Sequence, residues 1–271
     1  MESQLPYELY FTHRFNIHKL AGLLVDDYDI ESIARIYGVP AAELKKIQVS
    51  IDADAAAGAE ELKKIYPSFS KTIKAVAVGD SITSDRKSWT KILNRFLSGK
   101  PPVTGAESPI IDAGISGDTT SDVINRFYSS VLCHEFEWAV VFIGTNDCRG
   151  LNDEYRITNT GLGEYSNNLT YIMKVLKERH KKVISVTLPP VDPVRINTYF
   201  GEENNWTYTE KRISETNDFI RTASAAMGTR LADLAKAVSA SGKDVLDPDG
   251  IHLNDTGQRM LSRLILDIFA S

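Results

Sequence analysis

Short apolar runs rich in β-branched residues recur from residue 71 onward, separated by amphipathic stretches. These runs predict five strands, the last of them weaker than the others: 73–78, 110–112, 138–143, 183–187 and 229–232. The apolar positions within a run are continuous rather than alternating, which indicates burial on both faces of a sheet. The pattern therefore predicts a mostly parallel sheet enclosed by helices, an α/β fold.

Between these runs, apolar positions three or four residues apart predict amphipathic helices. The clearest apolar faces comprise Trp89, Ile92, Leu93, Phe96 and Leu97, then Tyr171, Val175 and Leu176, and finally Met260, Leu261, Leu264, Ile265 and Ile268. Strands and helices thus alternate along this part of the chain, as the connections of a parallel sheet require.

Residues 1–70 have helical patterns only and are predicted to form three or four short helices. The inward positions are Ile33, Ile36 and Tyr37 in a helix over 31–37, and Leu44 and Ile47 in a helix that begins at Pro40. The polar segment PSFSK around Pro67 is typical of a linker. We therefore expect a helical region over 1–70 and the main domain over 71–271.

The segment IESIARIYGVPAAELKKI, at 30–47, also has the rhythm of a helix-turn-helix DNA-binding motif. Residues 1–70 contain eleven acidic and seven basic side chains, a net charge of −4. A DNA-binding face is normally basic. The charge favours a helical module that packs on the main domain, mediates oligomerisation or shapes a substrate cleft, with a DNA-binding regulator as the alternative.

The composition is typical of a globular protein: 271 residues, 42% hydrophobic and 25% charged. The net charge of −5 gives no attraction for nucleic acids or anionic membranes. No apolar run reaches the roughly 18 residues that a membrane span needs. We expect neither nucleic acid nor membrane as a partner.

Two features predict a cytoplasmic protein. The N-terminal sequence MESQLPYELYFTHRF has neither the basic start nor the apolar segment of a secretory signal. The two cysteines, Cys133 and Cys148, flank a predicted strand that would hold them too far apart for a disulfide. Two free thiols suit a reducing compartment.

Small polar residues follow the first three predicted strands, at the edge where parallel sheets bind ligands. They form the blocks GDS at 79–81, GISGD at 114–118 and GTND at 144–147. A fourth block, DGIH at 249–252, precedes the apolar face of the last helix. The four blocks together mark a candidate site at one edge of the sheet.

In this order, the four blocks resemble those of the SGNH or GDSL hydrolase family of serine esterases and lipases, from Lys71 onward. The resemblance implies a flavodoxin-like, three-layer α/β/α fold. It also implies that Ser81 is the nucleophile and that Asp249 and His252 complete a catalytic triad. The backbone N–H groups of Ser81 and Gly117 and the side-chain amide of Asn146 would form the oxyanion hole. Residues 1–70 lie outside the resemblance.

The chemistry of these residues supports the same roles. A serine hydroxyl needs a nearby base to take its proton during attack, and imidazole suits this task at neutral pH. Of the five histidines, only His252 follows a carboxylate, Asp249, in a glycine-containing turn. Neutral donors such as Asn146 can stabilise the oxyanion without adding charge. Scattered histidines and two distant cysteines match no metal-ligand spacing, so we expect no metal and no cofactor.

Each of these residues also has a structural interpretation. Ser81 and Asp249 could cap helices, and Gly117 and Asn146 could serve turns. Their joint occurrence, in order, at predicted strand ends favours the site. For three neighbouring residues we predict structural roles: Asp80 and Asp147 order loops by accepting backbone hydrogen bonds, and Cys148 is a packing residue.

Residues 189–208, PPVDPVRINTYFGEENNWTY, are predicted to form a long loop that lines or covers the pocket. Its pocket candidates are the aromatic residues Tyr199, Phe200, Trp206 and Tyr208. Aromatic faces suit a sugar ring that bears an acyl ester, a short acyl chain or an aryl alcohol. The alternative is that these side chains only pack the loop against the domain.

We therefore predict a serine esterase that hydrolyses small carboxylic esters, with short-chain acyl or acetylated carbohydrate esters as its substrates. The family resemblance also admits thioesterase, lysophospholipase and acyltransferase activities. A binding module without catalytic activity is the alternative from a different functional class.

Overall fold

The computed structural model describes residues 29–99, 108–152, 157–201 and 206–271. Its strands are β1 (Ala75–Gly79), β2 (Ile110–Gly114), β3 (Trp138–Phe142), β4 (Gly150–Asn152), β5 (Ile157–Thr158), β6 (Lys182–Val186) and β7 (Arg230–Ala232). Five of them form a parallel sheet in the order β2-β1-β3-β6-β7, and β4 pairs with β5 in an antiparallel ribbon. The central sheet has the strand order of flavodoxin-like folds.

Helices connect and cover these strands. They are α1 (Ile30–Tyr37), α2 (Ala41–Ile65), α3 (Ser81–Ser84), α4 (Trp89–Ser98), α5 (Thr120–Ser130), α6 (Leu162–Glu178), α7 (Pro193–Phe200), α8 (Glu210–Met227), α9 (Leu234–Ser241) and α10 (Asp255–Ala270). Helices α2, α4 and α10 pack together, whereas α5, α6 and α8 form a second group. The predicted three-layer α/β/α fold is confirmed.

The predicted strands are all present, with ends that differ by up to two residues. All five residues of β1 are buried, as the continuous apolar run indicates. Gly79, at the end of β1, pairs in register with Gly114 of β2 and Phe142 of β3. The carboxyl ends of these three strands are therefore level, and the polar blocks that follow them meet at one edge.

The helices predicted over 31–37 and from Pro40 are both present, but the second differs from the prediction in length. Within the described residues, α2 is a single helix of 25 residues rather than several short ones. Its alanine-rich middle has high helix propensity, and Gly58 lets α2 approach Ile92 of α4. Ile36, predicted to face inward, is 39% exposed. Residues 1–28, which we also predicted to be helical, lie outside the described residues.

A small apolar cluster joins the first two helices, and α2 also packs on the main domain. Ile33, Ala34 and Leu44 form the small cluster. Ala55 and Leu62 belong instead to the main core around the sheet. The described part of the helical region is thus continuous with the core.

The segment 189–208 is not an extended loop throughout, because residues 193–200 form α7. The Asp192 carboxylate accepts hydrogen bonds from the backbone N–H groups of Val194 and Arg195, and Pro193 occupies the first helical position. This is a strong helix-start signal that the loop prediction overlooked.

Two further findings concern the predictions on membranes and cysteines. Within the described ranges, no helix is both long and apolar enough to cross a lipid bilayer. Cys133 is exposed and Cys148 is buried, and both are unpaired.

Candidate active site

The turn after β1 places Ser81 at the first position of α3. Asp80 is the N-cap of this short helix, and its carboxylate accepts a hydrogen bond from the Ile82 N–H at 3.0 Å. The capping role considered for Ser81 therefore belongs to Asp80, and the backbone hydrogen bond predicted for Asp80 is present. The Ser81 side chain is directed instead to His252, whose Nε2 lies 2.8 Å from Ser81 Oγ.

His252 and Asp249 lie in a tight loop between Leu246 and Leu253, which form an isolated antiparallel bridge. Asp249 Oδ2 lies 2.5 Å from His252 Nδ1. Asp249 Oδ1 accepts hydrogen bonds from the backbone N–H groups of Ile251 and His252. These contacts fix the imidazole so that its other nitrogen faces Ser81.

The DGIH block does not cap the last helix. Helix α10 begins at Asp255, and its N-cap is Asn254, whose side chain accepts a hydrogen bond from the Gly257 N–H. Asp249 is completely buried and His252 is nearly so. The capping interpretation of Asp249 therefore does not hold.

Gly250 is the point at which this loop touches the start of α7. Its φ is +76°, and a Cβ atom there would lie 2.6 Å from the Asp192 carbonyl oxygen and 2.8 Å from Arg195 Cβ. The Asp192 N–H also donates a hydrogen bond to the Gly250 carbonyl at 2.9 Å. Only glycine fits both the backbone conformation and the space.

We expect Gly250→Ala to lower the free energy of unfolding by about 2–5 kcal/mol, through left-handed strain and overpacking. We also expect kcat/KM for ester hydrolysis to fall by about 10²-fold, since the clash would displace His252. The measurements are chemical denaturation and steady-state kinetics. The control is Gly242→Ala, because Gly242 has a similar φ of +62° and open space around its Cβ position. Equal losses in the two variants would contradict the role of the close approach.

Gly117 and Asn146 are positioned by the loops after β2 and β3. Gly117 has a φ of +80°. The Asn146 Nδ2 group donates one hydrogen bond to the Asp118 carbonyl at 3.0 Å. A side-chain amide has a second N–H, which remains available to a ligand. Both residues line the same cavity as Ser81 and His252.

Two acidic residues tie these loops together. Asp147 accepts hydrogen bonds from the backbone N–H and the hydroxyl of Thr120, so the hydrogen bond predicted for it is present. Asp118 forms an ion pair with Arg126 at 2.7 Å. Arg126 also donates a hydrogen bond to the Gly79 carbonyl, at the end of β1. The sequence analysis missed Arg126 because its partners become close only in the folded chain.

Burial and charge shift the pKa values of three groups in or near the site. Burial lowers the pKa of His252, but the charge and hydrogen bond of Asp249, with Asp85 and Asp247, outweigh it and raise the pKa to about 9. Burial raises the pKa of Asp80 to about 7. Burial also raises the pKa of the Cys148 thiol to about 12, which suits packing rather than nucleophilic attack.

A cavity of about 170 Å³ opens onto Ser81 and His252. Three of the four predicted aromatic residues line it, namely Phe200, Trp206 and Tyr208. Tyr199 does not line this cavity; it packs edge-on against Phe200, with ring centroids 5.2 Å apart. Four residues that the sequence analysis missed complete the lining: Ser116, Thr145, Arg149 and Ile251. Three of these residues lie within the polar blocks, namely Ser116, Thr145 and Ile251, and Arg149 lies two residues after the GTND block. Their positions in or next to the blocks could have identified them from the sequence.

A larger cavity, of about 750 Å³, lies at the opposite edge of the sheet, among the residues that precede the strands. Its lysines are engaged elsewhere: Lys71 donates to the Ala270 carbonyl, and Lys181 donates to the Phe136 carbonyl. This cavity contains none of the four polar blocks. The smaller cavity is therefore the candidate active site.

A parallel α/β sheet with an aligned serine, histidine and aspartate at its carboxyl edge is typical of serine hydrolases. The sequence profile of the GDSL-like lipase/acylhydrolase family matches residues 77–260. The match spans more than half of the chain and contains all four blocks, and the chain belongs to this family.

Solved structures of similar fold include a lipase/acylhydrolase from Enterococcus faecalis, 25% identical, with a TM-score of 0.57 over 73% of this chain and 95% of that one. The acetyl xylan esterase AlAXEase is 21% identical, with a TM-score of 0.56 over 72% and 99%. A catalytic mutant of an acetylxylan esterase from Geobacillus stearothermophilus is 17% identical, with a TM-score of 0.56 over 73% and 94%. The last two show similarity of fold alone. A search of curated proteins found no match.

Proposed function

We propose that this protein hydrolyses small carboxylic esters through an acyl-enzyme intermediate on Ser81. The observation that carries the proposal is the continuous contact from Asp249 through His252 to Ser81, with 2.8 Å between His252 Nε2 and Ser81 Oγ. This contact opens into the cavity that Gly117 and Asn146 also line. Base, nucleophile and oxyanion donors therefore surround one space.

In the acylation step, neutral His252 takes the proton of the Ser81 hydroxyl as Oγ attacks the ester carbonyl carbon. The carbonyl π electrons move to oxygen and form a tetrahedral oxyanion. Collapse of this intermediate breaks the bond to the alcohol oxygen, and protonated His252 gives its proton to the leaving alcohol. Buried Asp249 stabilises the imidazolium and stays ionised throughout.

Deacylation repeats these steps with water. His252 removes a proton from water as the water oxygen attacks the acyl carbon, and then returns the proton to Ser81 Oγ as the acid leaves. In both steps the N–H groups of Ser81 and Gly117 and the Asn146 amide would stabilise the oxyanion. The Asp118 carbonyl, which accepts a hydrogen bond from Asn146, holds this donor in place before the reaction begins.

We expect Asn146→Ala to lower kcat by about 10²–10³-fold, because one preorganised oxyanion donor is lost. KM should change little, since this interaction strengthens in the transition state. Steady-state kinetics with p-nitrophenyl acetate measure the effect. Asn168→Ala is a suitable control, because Asn168 is an amide that donates to Thr120 and Ser121 and does not line the cavity. A normal kcat in Asn146→Ala would contradict the role.

The cavity favours short acyl groups. Its volume of about 170 Å³ is below the range of about 300–1,000 Å³ that is usual for larger ligands. Phe200 and Trp206 pack against each other with ring centroids 4.8 Å apart and offer an aromatic surface at the cavity. Such surfaces accommodate sugar rings, so we propose acetylated carbohydrates as the substrates. Two of the neighbours of similar fold are described as acetylxylan esterases, which act on substrates of this kind.

The test combines labelling and turnover. The protein is incubated with p-nitrophenyl acetate, and separately with a serine-directed phosphonate whose adduct is located by peptide mass spectrometry. We expect turnover and a label on Ser81, with both absent in Ser81→Ala. Kinetics on p-nitrophenyl esters of increasing acyl length should show kcat/KM falling beyond short chains. Protein that is inactive and unlabelled would instead be a binding module.

We also propose that residues 71–271 form the hydrolase unit and that residues 1–70 support it. The Arg86 guanidinium donates to Gln48 of α2, at 3.2 Å, and Arg259 pairs with Glu61. These contacts join α2 to the segment that follows α3 and to α10. The unpaired Cys133 and Cys148 support our proposal of a reducing, cytoplasmic location.

A further inference from the structure

Arg149 is a cation in the candidate active site that has no acidic partner among the described residues. It lines the same cavity as Ser81, Asn146 and His252. Its Nε atom is buried and makes no hydrogen bond to any described residue. By contrast, Arg126 pairs with Asp118 and Arg221 pairs with Asp233. A buried donor without a partner is rare in native proteins and calls for an explanation.

The acidic side chains of the site are already committed to other partners. Asp249 contacts His252, Asp80 accepts from the Ile82 N–H, and Asp147 accepts from Thr120. None of these carboxylates forms an ion pair with Arg149 within the described ranges. Among the described residues, no ion pair offsets the positive charge of this guanidinium, which lines the same cavity as the nucleophile.

The guanidinium is held in place by Trp206, since its central carbon lies 4.8 Å from the Trp206 ring centroid. A stacked guanidinium keeps its terminal N–H groups, which lie in the plane of the group, available for hydrogen bonds to a ligand. The backbone around it is fixed independently. Gly150 and Thr207 exchange two backbone hydrogen bonds, and the Asn159 N–H donates to the Arg149 carbonyl. The local fold thus does not depend on the charge of Arg149.

We propose that Arg149 binds a carboxylate of the substrate, so that the ester hydrolysed by this enzyme is itself an anion. This inference rests on the proposed function and specifies its substrate class. The planar guanidinium fork matches a carboxylate with two parallel hydrogen bonds. The small cavity favours a compact acid, such as an acetylated hydroxy acid or an acetylated uronic acid, with the carboxylate close to the ester group.

The experiment compares esters that differ only in charge. Acetate release from acetoxyacetate, meta-acetoxybenzoate and para-acetoxybenzoate is measured by pH-stat, each beside its neutral primary amide. The quantity compared is kcat/KM for each acid divided by kcat/KM for its amide. We expect this ratio to be about 10 to 100 for at least one of the three distances between carboxylate and ester group. Arg149→Gln should reduce this ratio to near one, and Arg149→Lys, which keeps the charge, should restore part of it.

Arg179→Gln is the matched control, because Arg179 also lies over an aromatic ring, that of Tyr128, but does not line the cavity. This variant should keep the wild-type ratio. An unchanged ratio in Arg149→Gln would overturn the proposal, and so would a wild-type ratio near one at every spacing. A loss of kcat/KM that is equal for acid and amide would mean that Arg149 only supports Trp206, and would also overturn it.

The two proposals fail in distinguishable ways. If the wild-type protein releases acetate from the neutral amide analogues and is labelled on Ser81, but shows no preference for the acids, the carboxylate site is wrong and the esterase proposal stands. If neither acids nor amides release acetate and Ser81 is not labelled, the esterase proposal itself is wrong.

Discussion

Replacing His252 by alanine is expected to lower kcat for ester hydrolysis by about 10⁴–10⁶-fold, as much as Ser81→Ala does. The reason is that the two side chains act as one unit. His252 Nε2 lies 2.8 Å from Ser81 Oγ, and among the described residues no other base is within hydrogen-bond distance of this hydroxyl to take its proton. For the same reason the double variant should be no slower than either single variant. Active-site titration and steady-state kinetics on p-nitrophenyl acetate provide the measurement.

His180→Ala is the control for this prediction. His180 follows α6, in the turn before β6, far from the carboxyl edge of the sheet. Its removal should leave kcat unchanged, whereas circular dichroism should show that His252→Ala remains folded. Additive losses in the Ser81 and His252 variants would be incompatible with a shared proton transfer.

The second large effect is expected for Asp249→Asn, which should lower kcat by about 10⁴-fold. In the carboxylate, Oδ2 accepts a hydrogen bond from His252 Nδ1–H while Oδ1 accepts from the Ile251 and His252 backbone N–H groups. An amide has one oxygen, so its NH₂ group would face Nδ1 and could only donate. The imidazole would then adopt the wrong tautomer or orientation. The charge that stabilises the imidazolium would also be lost.

This variant should also change the pH profile. In the proposed mechanism His252 must be neutral to act as the base, so kcat/KM should rise with pH through the pKa of His252. Burial lowers this pKa, but Asp249, with Asp85 and Asp247, raises it from 6.5 to about 9. Without the Asp249 charge, burial still lowers that pKa, and the acidic limb should move to lower pH. The measurement is kcat/KM against pH for both proteins. Asp80→Asn is the comparison: Asp80 interacts with His252 only through charge, whereas Asp249 also contacts His252 Nδ1, so the acidic limb should shift less in Asp80→Asn than in Asp249→Asn. A limb that stays at the same pH in Asp249→Asn would contradict the assignment.

The residues of the candidate site could be predicted from local sequence because each block combines a strand end with small polar residues. Continuous apolar runs placed Ser81, Gly117 and Asn146 after buried strands, and strands of one parallel sheet end at a common edge. His252 could be chosen because Asp249 lies three residues before it in a glycine turn. Periodicity and elementary chemistry grouped these residues and singled out His252, whereas the individual roles of Ser81, Gly117 and Asn146 came from the resemblance to the hydrolase family.

Other features could not be read from the sequence. The close approach of α2 to α4 at Gly58 depends on the position of Ile92, and the need for glycine at 250 depends on Asp192 and Arg195 of a distant segment. The charge at Arg149 was overlooked for a similar reason. Whether an arginine is paired depends on which carboxylates surround it in the folded chain, and the described carboxylates of the site contact other groups.

Sequence alone thus determined the α/β class, the strand order along the chain and the four blocks that supply the polar residues, since these depend on residue type and spacing within short segments. Only the tertiary structure decided the 2.8 Å approach of His252 to Ser81, the small volume of the cavity and the position in its lining of Arg149, which pairs with no described carboxylate. Such properties arise from contacts between segments up to 171 residues apart, and their distances are fixed by packing rather than by local preference.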